Sequence, residues 1–150
     1  MVCRRQSGMT LVELIVATSI LLVLTTMAIP LARITIERQR EHALRIDLRE
    51  MRNAIDRYKD AADRGLIQVQ TDSFGYPPTL QTLVDGVAMG TEKIRFLRSI
   101  PKDPFTDSYD WGLRSVQDDP DASSWGGQDV FDVYTTSNAT ALDGTKVDTW

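Results

Sequence analysis

Glu13 is the residue whose surroundings most demand a chemical explanation. It lies five positions after Gly8, inside a run from Met9 to Ala32 that otherwise holds aliphatic residues, methionine, threonine, serine and one proline. A carboxylate in such a run costs about 2.5–3.5 kcal/mol on membrane-insertion scales unless a cation meets it. Glu13 is therefore expected to act through a cationic partner. Ser7 and Gly8 stand immediately before the run, a small and flexible pair where a peptidase at a membrane face could reach the backbone. Other reactive groups are sparse. Cys3 is the single cysteine, so neither an intramolecular disulfide nor a cysteine metal cluster can be built. His42 is the single histidine, set among charged residues of helical pattern, and reads as a solvated helix residue. No glycine-rich phosphate loop, nucleophile elbow, HExxH or cysteine-histidine set occurs, and the chain is expected not to be an enzyme.

The element that must carry Glu13 is a helix. Residues 9–32 reach the roughly 20 apolar positions that span a bilayer. Arg4 and Arg5 precede them, so the positive-inside rule keeps the N-terminus cytoplasmic and places everything after about residue 33 outside the cytoplasm. The plainer readings are a signal anchor, or a secretory signal peptide with an apolar core of about 7–15 residues. The embedded glutamate and the Ser7-Gly8 pair argue against both. Pro30 lacks an N–H and clashes with the carbonyl four residues back, so it either opens the helix near Thr26 or marks the membrane exit.

From Leu31 to Arg64 neither proline nor glycine interrupts the chain, and Leu44, Leu48, Met51, Ile55, Tyr58 and Ala62 recur at alternating spacings of four and three. That is one face of a helix. Glu41 with Arg45, and Asp60 with Arg64, sit four apart with the acid first, the favourable order. Gly65 is the expected stop. Together with the apolar run this predicts a nearly continuous helix of about 55 residues, roughly 80 Å long. The arginines between residues 33 and 64 read either as a solvated face or as charge complementarity between packed helices. Net charge is −4, and no aromatic residues are interleaved with the arginines, so nothing favours nucleic acid.

The run Arg4-Arg5-Gln6-Ser7-Gly8-Met9-Thr10-Leu11-Val12-Glu13 resembles the processing motif of type IV prepilins and pseudopilins. The resemblance implies a leader of residues 1–8 cut after Gly8 by a prepilin peptidase, a mature terminus at Met9 that becomes N-methylated, and a glutamate at the fifth mature position. Met9 stands where the family usually has phenylalanine. It further implies that the freed ammonium of one subunit pairs with Glu13 of its neighbour, relieving two costly charges and setting the axial register. A proline matching Pro30 is associated with a stretch that melts in assembled filaments.

In the C-terminal half, Gly75, Pro77 and Pro78 mark a loop and Leu80–Val84 a short helical turn. Residues 76–84 and the Ile100-Pro101-Lys102-Asp103-Pro104-Phe105 stretch resemble segments of major pseudopilins, with Phe105 where that family carries tryptophan. Asp110–Val116 and Asp129–Thr135 alternate as strands across an acidic loop, and Trp111, Phe131 and Tyr134 are expected in the core. The fold class expected is α+β and pilin-like: a long N-terminal helix, transmembrane in its first half and amphipathic in its second, packed on a small antiparallel sheet. The end of the chain resembles the calcium loop of major pseudopilins. The resemblance implies calcium held by Asp143 and Asp148 with oxygens of Ser137, Asn138 or Thr145, since calcium takes six to eight oxygen ligands. The alternative is a metal-free loop turning at Asp143-Gly144.

The domains expected are the leader, 1–8, the membrane and assembly helix, 9–32, and a periplasmic head, 33–150, that includes the amphipathic helix to about residue 64. The function implied is that of a structural subunit of a type II secretion pseudopilus in the bacterial inner membrane. It would self-assemble with minor pseudopilins, an inner-membrane platform and the prepilin peptidase as partners. A type IV pilin of a surface fibre and a membrane-anchored periplasmic binding module are the alternatives.

Overall fold

In a computed structural model of the chain, residues 10–69, 73–122 and 124–150 are described, apart from the side chains of 27–32. The elements, in order, are α1 (Leu11–Asp63), α2 (Leu80–Asp85), β1 (Val87–Met89), β2 (Glu92–Ile94), β3 (Gly112–Arg114), β4 (Asp132–Tyr134) and a closing 3-10 turn (Val147–Thr149). The chain divides into two compact units, Met1–Glu37 and Arg38–Trp150. The expected α+β class, a long N-terminal helix with small antiparallel sheets, is the architecture found.

Local chemistry accounts for the ends of α1. Thr10 starts it, its Oγ1 accepting the Glu13 N–H at 3.2 Å while its carbonyl accepts from Leu14 N at 3.1 Å. This is the side-chain cap that an otherwise orphaned first-turn N–H requires. Gly65 stops it: Gly65 N–H bonds the Ala62 carbonyl, Leu66 N–H bonds the Ala61 carbonyl, and Gly65 adopts φ +67. Paired closures of this kind need a left-handed residue, which glycine adopts without strain.

In the second unit the predicted stripe is the floor of the core. Leu44, Leu48, Met51, Ile55 and Tyr58 are all buried, joined by Ala54 and Ala61, and Ala62 packs at the edge. Leu83 of α2, Trp111, Val130, Val133 and Val147 close over them. Each large aliphatic side chain buried this way contributes about 1.5–3 kcal/mol. Tyr58 and Phe96 meet edge to face at 5.4 Å, and Trp111 Nε1 donates to the Pro101 carbonyl at 2.9 Å. The indole therefore enters the core with its polar edge satisfied.

The strands form two separate pairs rather than one sheet. β1 and β2 pair antiparallel in the register Val87↔Ile94 across a two-residue Gly90-Thr91 loop, a hairpin that the sequence reading did not single out. β3 and β4 pair antiparallel, Gly112 opposite Tyr134 and Leu113 opposite Val133, and are shorter than the alternation implied. Their long connection is built on two carboxylates. Asp118 Oδ2 accepts from Ser115 N at 2.7 Å and Gly126 N at 3.0 Å, and Asp129 Oδ1 accepts from Val116 N at 3.1 Å. Three expectations need correction, two core places and one ion pair: Tyr134 is only half-buried, with Arg114 stacked over its ring. Phe131 is 48% exposed, packing edge to face on Tyr76 instead of entering the core, because it precedes β4, outside the strand's alternation, and the buried place there goes to Val130. Asp60 and Arg64 do form their ion pair, at 2.8 Å, but Arg45 turns away from Glu41. Both Glu41 and Arg45 are drawn instead to the C-terminal loop.

Candidate assembly helix and C-terminal loop

Among its described residues the first unit is a helix without a core of its own. Leu11, Val12, Leu14, Ile15, Val16 and Ile20 are each more than half exposed, and so are Leu21, Leu22, Val23 and Leu24. A helix that is apolar on every side needs an apolar environment from outside itself. Its polar groups conform to that requirement. Thr18 Oγ1 donates to the Leu14 carbonyl at 2.9 Å, Ser19 Oγ to Ile15 at 2.7 Å, Thr25 Oγ1 to Leu22 at 2.9 Å and Thr26 Oγ1 to Val23 at 2.8 Å. Each hydroxyl is thus returned to its own helix, as segments excluded from water demand.

Glu13 is the exception. Between Leu11 and Thr26 the polar side chains are Glu13, Thr18, Ser19, Thr25 and Thr26, and only the Glu13 carboxylate lacks a partner among the described residues. It projects from the first turn of α1, where the positive end of the helix dipole stabilises a carboxylate by about 0.3–1 kcal/mol. Its hydrogen-bonding capacity stays open for a cation. Among the described residues no helix is long and apolar enough to cross a membrane. The apolar stretch with described side chains covers the 16 residues 11–26, and the sequence continues it through 27–32. Gly8, Met9 and the side chain of Pro30 lie outside the described residues, so their expected roles rest on sequence.

The second candidate region is the loop from Ser137 to Trp150. Asp143 begins a turn, its Oδ1 accepting from Thr145 N at 2.9 Å and Thr145 Oγ1 at 2.7 Å, with Gly144 at φ +85. Hydrogen bonds from Thr145 hold the Asp143 carboxyl below the usual carboxylate range, assisted by Arg45. The turn is flanked by an antiparallel bridge between Thr140 and Lys146 and by Ala141 N–H to the Thr145 carbonyl at 2.8 Å. Lys146 Nζ donates to the Asn138 carbonyl at 3.1 Å, and Ser137 Oγ accepts from Ala139 N at 3.3 Å. Trp150 Nε1 donates to Thr145 Oγ1 at 2.9 Å. Asp148 Oδ1 is buried without a partner.

These groups do not fit calcium. Among the described residues no three His, Cys, Asp or Glu side chains converge as a metal site would require. Of the oxygens named for the ion, those of Asp143 are committed to Thr145 and Arg45, and the Asn138 carbonyl to an ammonium. Asp148 offers one free buried oxygen, far short of six.

Sequence reasoning did not find the side chains that dock the loop on α1. Glu41 Oε1 accepts from Leu142 N at 2.6 Å, Arg45 lies 3.5 Å from Asp143 Oδ2 and stacks 4.1 Å over the Trp150 ring, and Arg52 reaches the Trp150 carbonyl at 2.8 Å. The signal available was their spacing of four and seven on one helix face, which a pattern of intrahelical pairs had already explained.

Residues 3–29 match the protein family described as the prokaryotic N-terminal methylation motif. No curated protein and no solved structure matches the chain. The match covers Gly8, Met9 and Glu13 and runs into the uncovered helix, so the chain carries a prokaryotic N-terminal methylation motif ahead of an α+β head.

Proposed function

We propose that this chain is a structural subunit of a pseudopilus that drives export of folded proteins through a type II secretion system. The observation that carries the reading is Glu13: among the described residues 11–26 of the uncovered helix, the one polar side chain with no internal partner, within the matched motif. A methylated ammonium at Met9 of an adjoining subunit is the counter-charge that the motif supplies. Pairing the two in an apolar bundle removes both desolvation costs and fixes the axial step between subunits. The apolar flanks of α1 then find lipid before assembly and neighbouring helices after it. Residues 9–32 anchor the subunit in the inner membrane, the head lies in the periplasm, and the energy for growth comes from a separate motor, since no nucleotide-binding motif is present in the sequence. Minor pseudopilins, the inner-membrane platform and the prepilin peptidase are the expected partners.

The test is intact mass and N-terminal sequencing of the membrane-extracted protein from cells with and without the prepilin peptidase. A chain that begins at methylated Met9 only when the peptidase is present supports the reading. A chain still beginning at Met1, or cut near Ala32, sinks it. Deletion that abolishes export but leaves surface fibres and twitching intact supports secretion. The reverse pattern assigns the subunit to a surface fibre.

A further inference from the structure

We infer that the C-terminal loop is built around its own cations, with the Lys146 ammonium and the Arg45 guanidinium in the place of a metal ion. The inference starts from charge. Three carboxylates, Asp143 and Asp148 of the loop and Glu41 of α1, stand with three cationic groups, Lys146 of the loop and Arg45 and Arg52 of α1. A divalent ion gains its affinity from an excess of carboxylates, and here there is none.

Position makes the same point. Lys146 Nζ sits 3.1 Å from the Asn138 carbonyl oxygen, so it spans from one side of the Thr140–Lys146 bridge back to the chain entering the other. That closes the loop at its open end, the task a bound ion performs when it gathers backbone carbonyls. An ion placed 2.3–2.6 Å from that oxygen, the calcium distance, would have to displace the ammonium. At the tip, Arg45 Nη2 holds Asp143 Oδ2 at 3.5 Å while its plane covers Trp150. Glu41 and Arg52 take the Leu142 N–H and the Trp150 carbonyl. The three α1 residues dock both limbs of the loop on the helix, and every contact is made by side chains already present in the chain.

The loop is therefore a permanently closed part of the head, and its order does not follow the calcium concentration. In a filament assembled outside the cytoplasm this makes head packing indifferent to chelators.

Thermal unfolding and amide hydrogen exchange of the full-length protein in detergent micelles test this, with calcium chloride alone as the probe. Wild type is expected to show the same Tm, and the same protection at Ala141 and Val147, in excess EDTA and in millimolar calcium. Lys146→Met, which keeps the aliphatic stem and removes the ammonium, is expected to lower Tm and to speed exchange at Ala141 and Val147 by about tenfold, whatever the calcium level. A rise of several degrees in wild-type Tm with calcium would overturn the inference. So would unchanged exchange in Lys146→Met. Neither result depends on whether Gly8 is processed or which machine the filament serves.

Discussion

Arg52 and Asp132 lie 80 positions apart in the chain and meet at 2.6 Å, Nε on Oδ1, with the second guanidinium nitrogen shared between the Val133 and Trp150 carbonyls. One side chain of α1 thus holds the last strand and the end of the chain together. In a head without disulfides this is the tie that a covalent bridge provides elsewhere. Removing the guanidinium leaves two carbonyls and a half-buried carboxylate without their donor. Arg52→Ala is expected to cost about 1.5–3 kcal/mol in chemical denaturation. Arg52→Lys should recover little of it, because an ammonium cannot reproduce the fork.

Gly112 faces Tyr134 across the β3–β4 pair, and a Cβ at position 112 would lie 2.3 Å from the tyrosine ring. The ring is fixed in turn by Arg114, stacked 4.1 Å above it. Gly112→Ala should destabilise by about 1–3 kcal/mol, the range for overpacking. Adding Tyr134→Ala to Gly112→Ala should cost less than Tyr134→Ala costs alone, a negative coupling that a double-mutant cycle will measure.

Asp103 is fully buried and anchors the segment after the Ile100-Pro101 turn. Its Oδ1 accepts from Phe105 N at 2.8 Å and its Oδ2 from the Thr135 hydroxyl at the end of β4. Asp103→Ala strands three donors, Phe105 N, Thr106 N and the Thr135 hydroxyl, and is expected to cost about 1–3 kcal/mol for each left unsatisfied. The loss will appear as a lowered denaturant midpoint with an unchanged slope if the folded state stays compact.

Asp129 supplies a pH dependence of known sign. Burial pushes its carboxyl above the ordinary value of 3.8, against the lowering effect of hydrogen bonds from Val116 and Gln117. The folded state therefore holds this proton more tightly than the unfolded chain does. The stability it contributes is complete below 3.8 and is lost as pH rises through the folded-state pKa. Asp118 and Asp143, whose carboxyls are lowered by hydrogen bonds, act in the opposite sense. Asp129→Asn isolates the buried group: its stability relative to wild type should improve as pH is raised from about 4 to about 7 in paired urea titrations.

Much of this architecture was legible along the chain because it depends on near neighbours. The apolar run with its single carboxylate, the stripe from Leu44 to Ala62, the Gly65 stop and the Asp143-Gly144 turn are local patterns, governed by helix periodicity, membrane insertion cost and backbone sterics. A local element passed over, the Gly90 hairpin, had its signal in two short residue runs flanking a two-residue loop. What the tertiary structure decided were the choices among competing partners. Glu41 and Arg45 satisfy a helix-pairing rule worth a few tenths of a kcal/mol, yet they are drawn to Leu142 N–H and Asp143, because folding brings that loop within reach and a charge-assisted bond there stabilises more. Phe131 reads as core by alternation, but β4 begins only at Asp132, and before it the chain buries Val130 and turns Phe131 outward onto Tyr76. The same holds for the end of the chain: its oxygens resemble metal ligands in sequence, and only three-dimensional placement sets Lys146 on the Asn138 carbonyl and Arg45 beside Asp143.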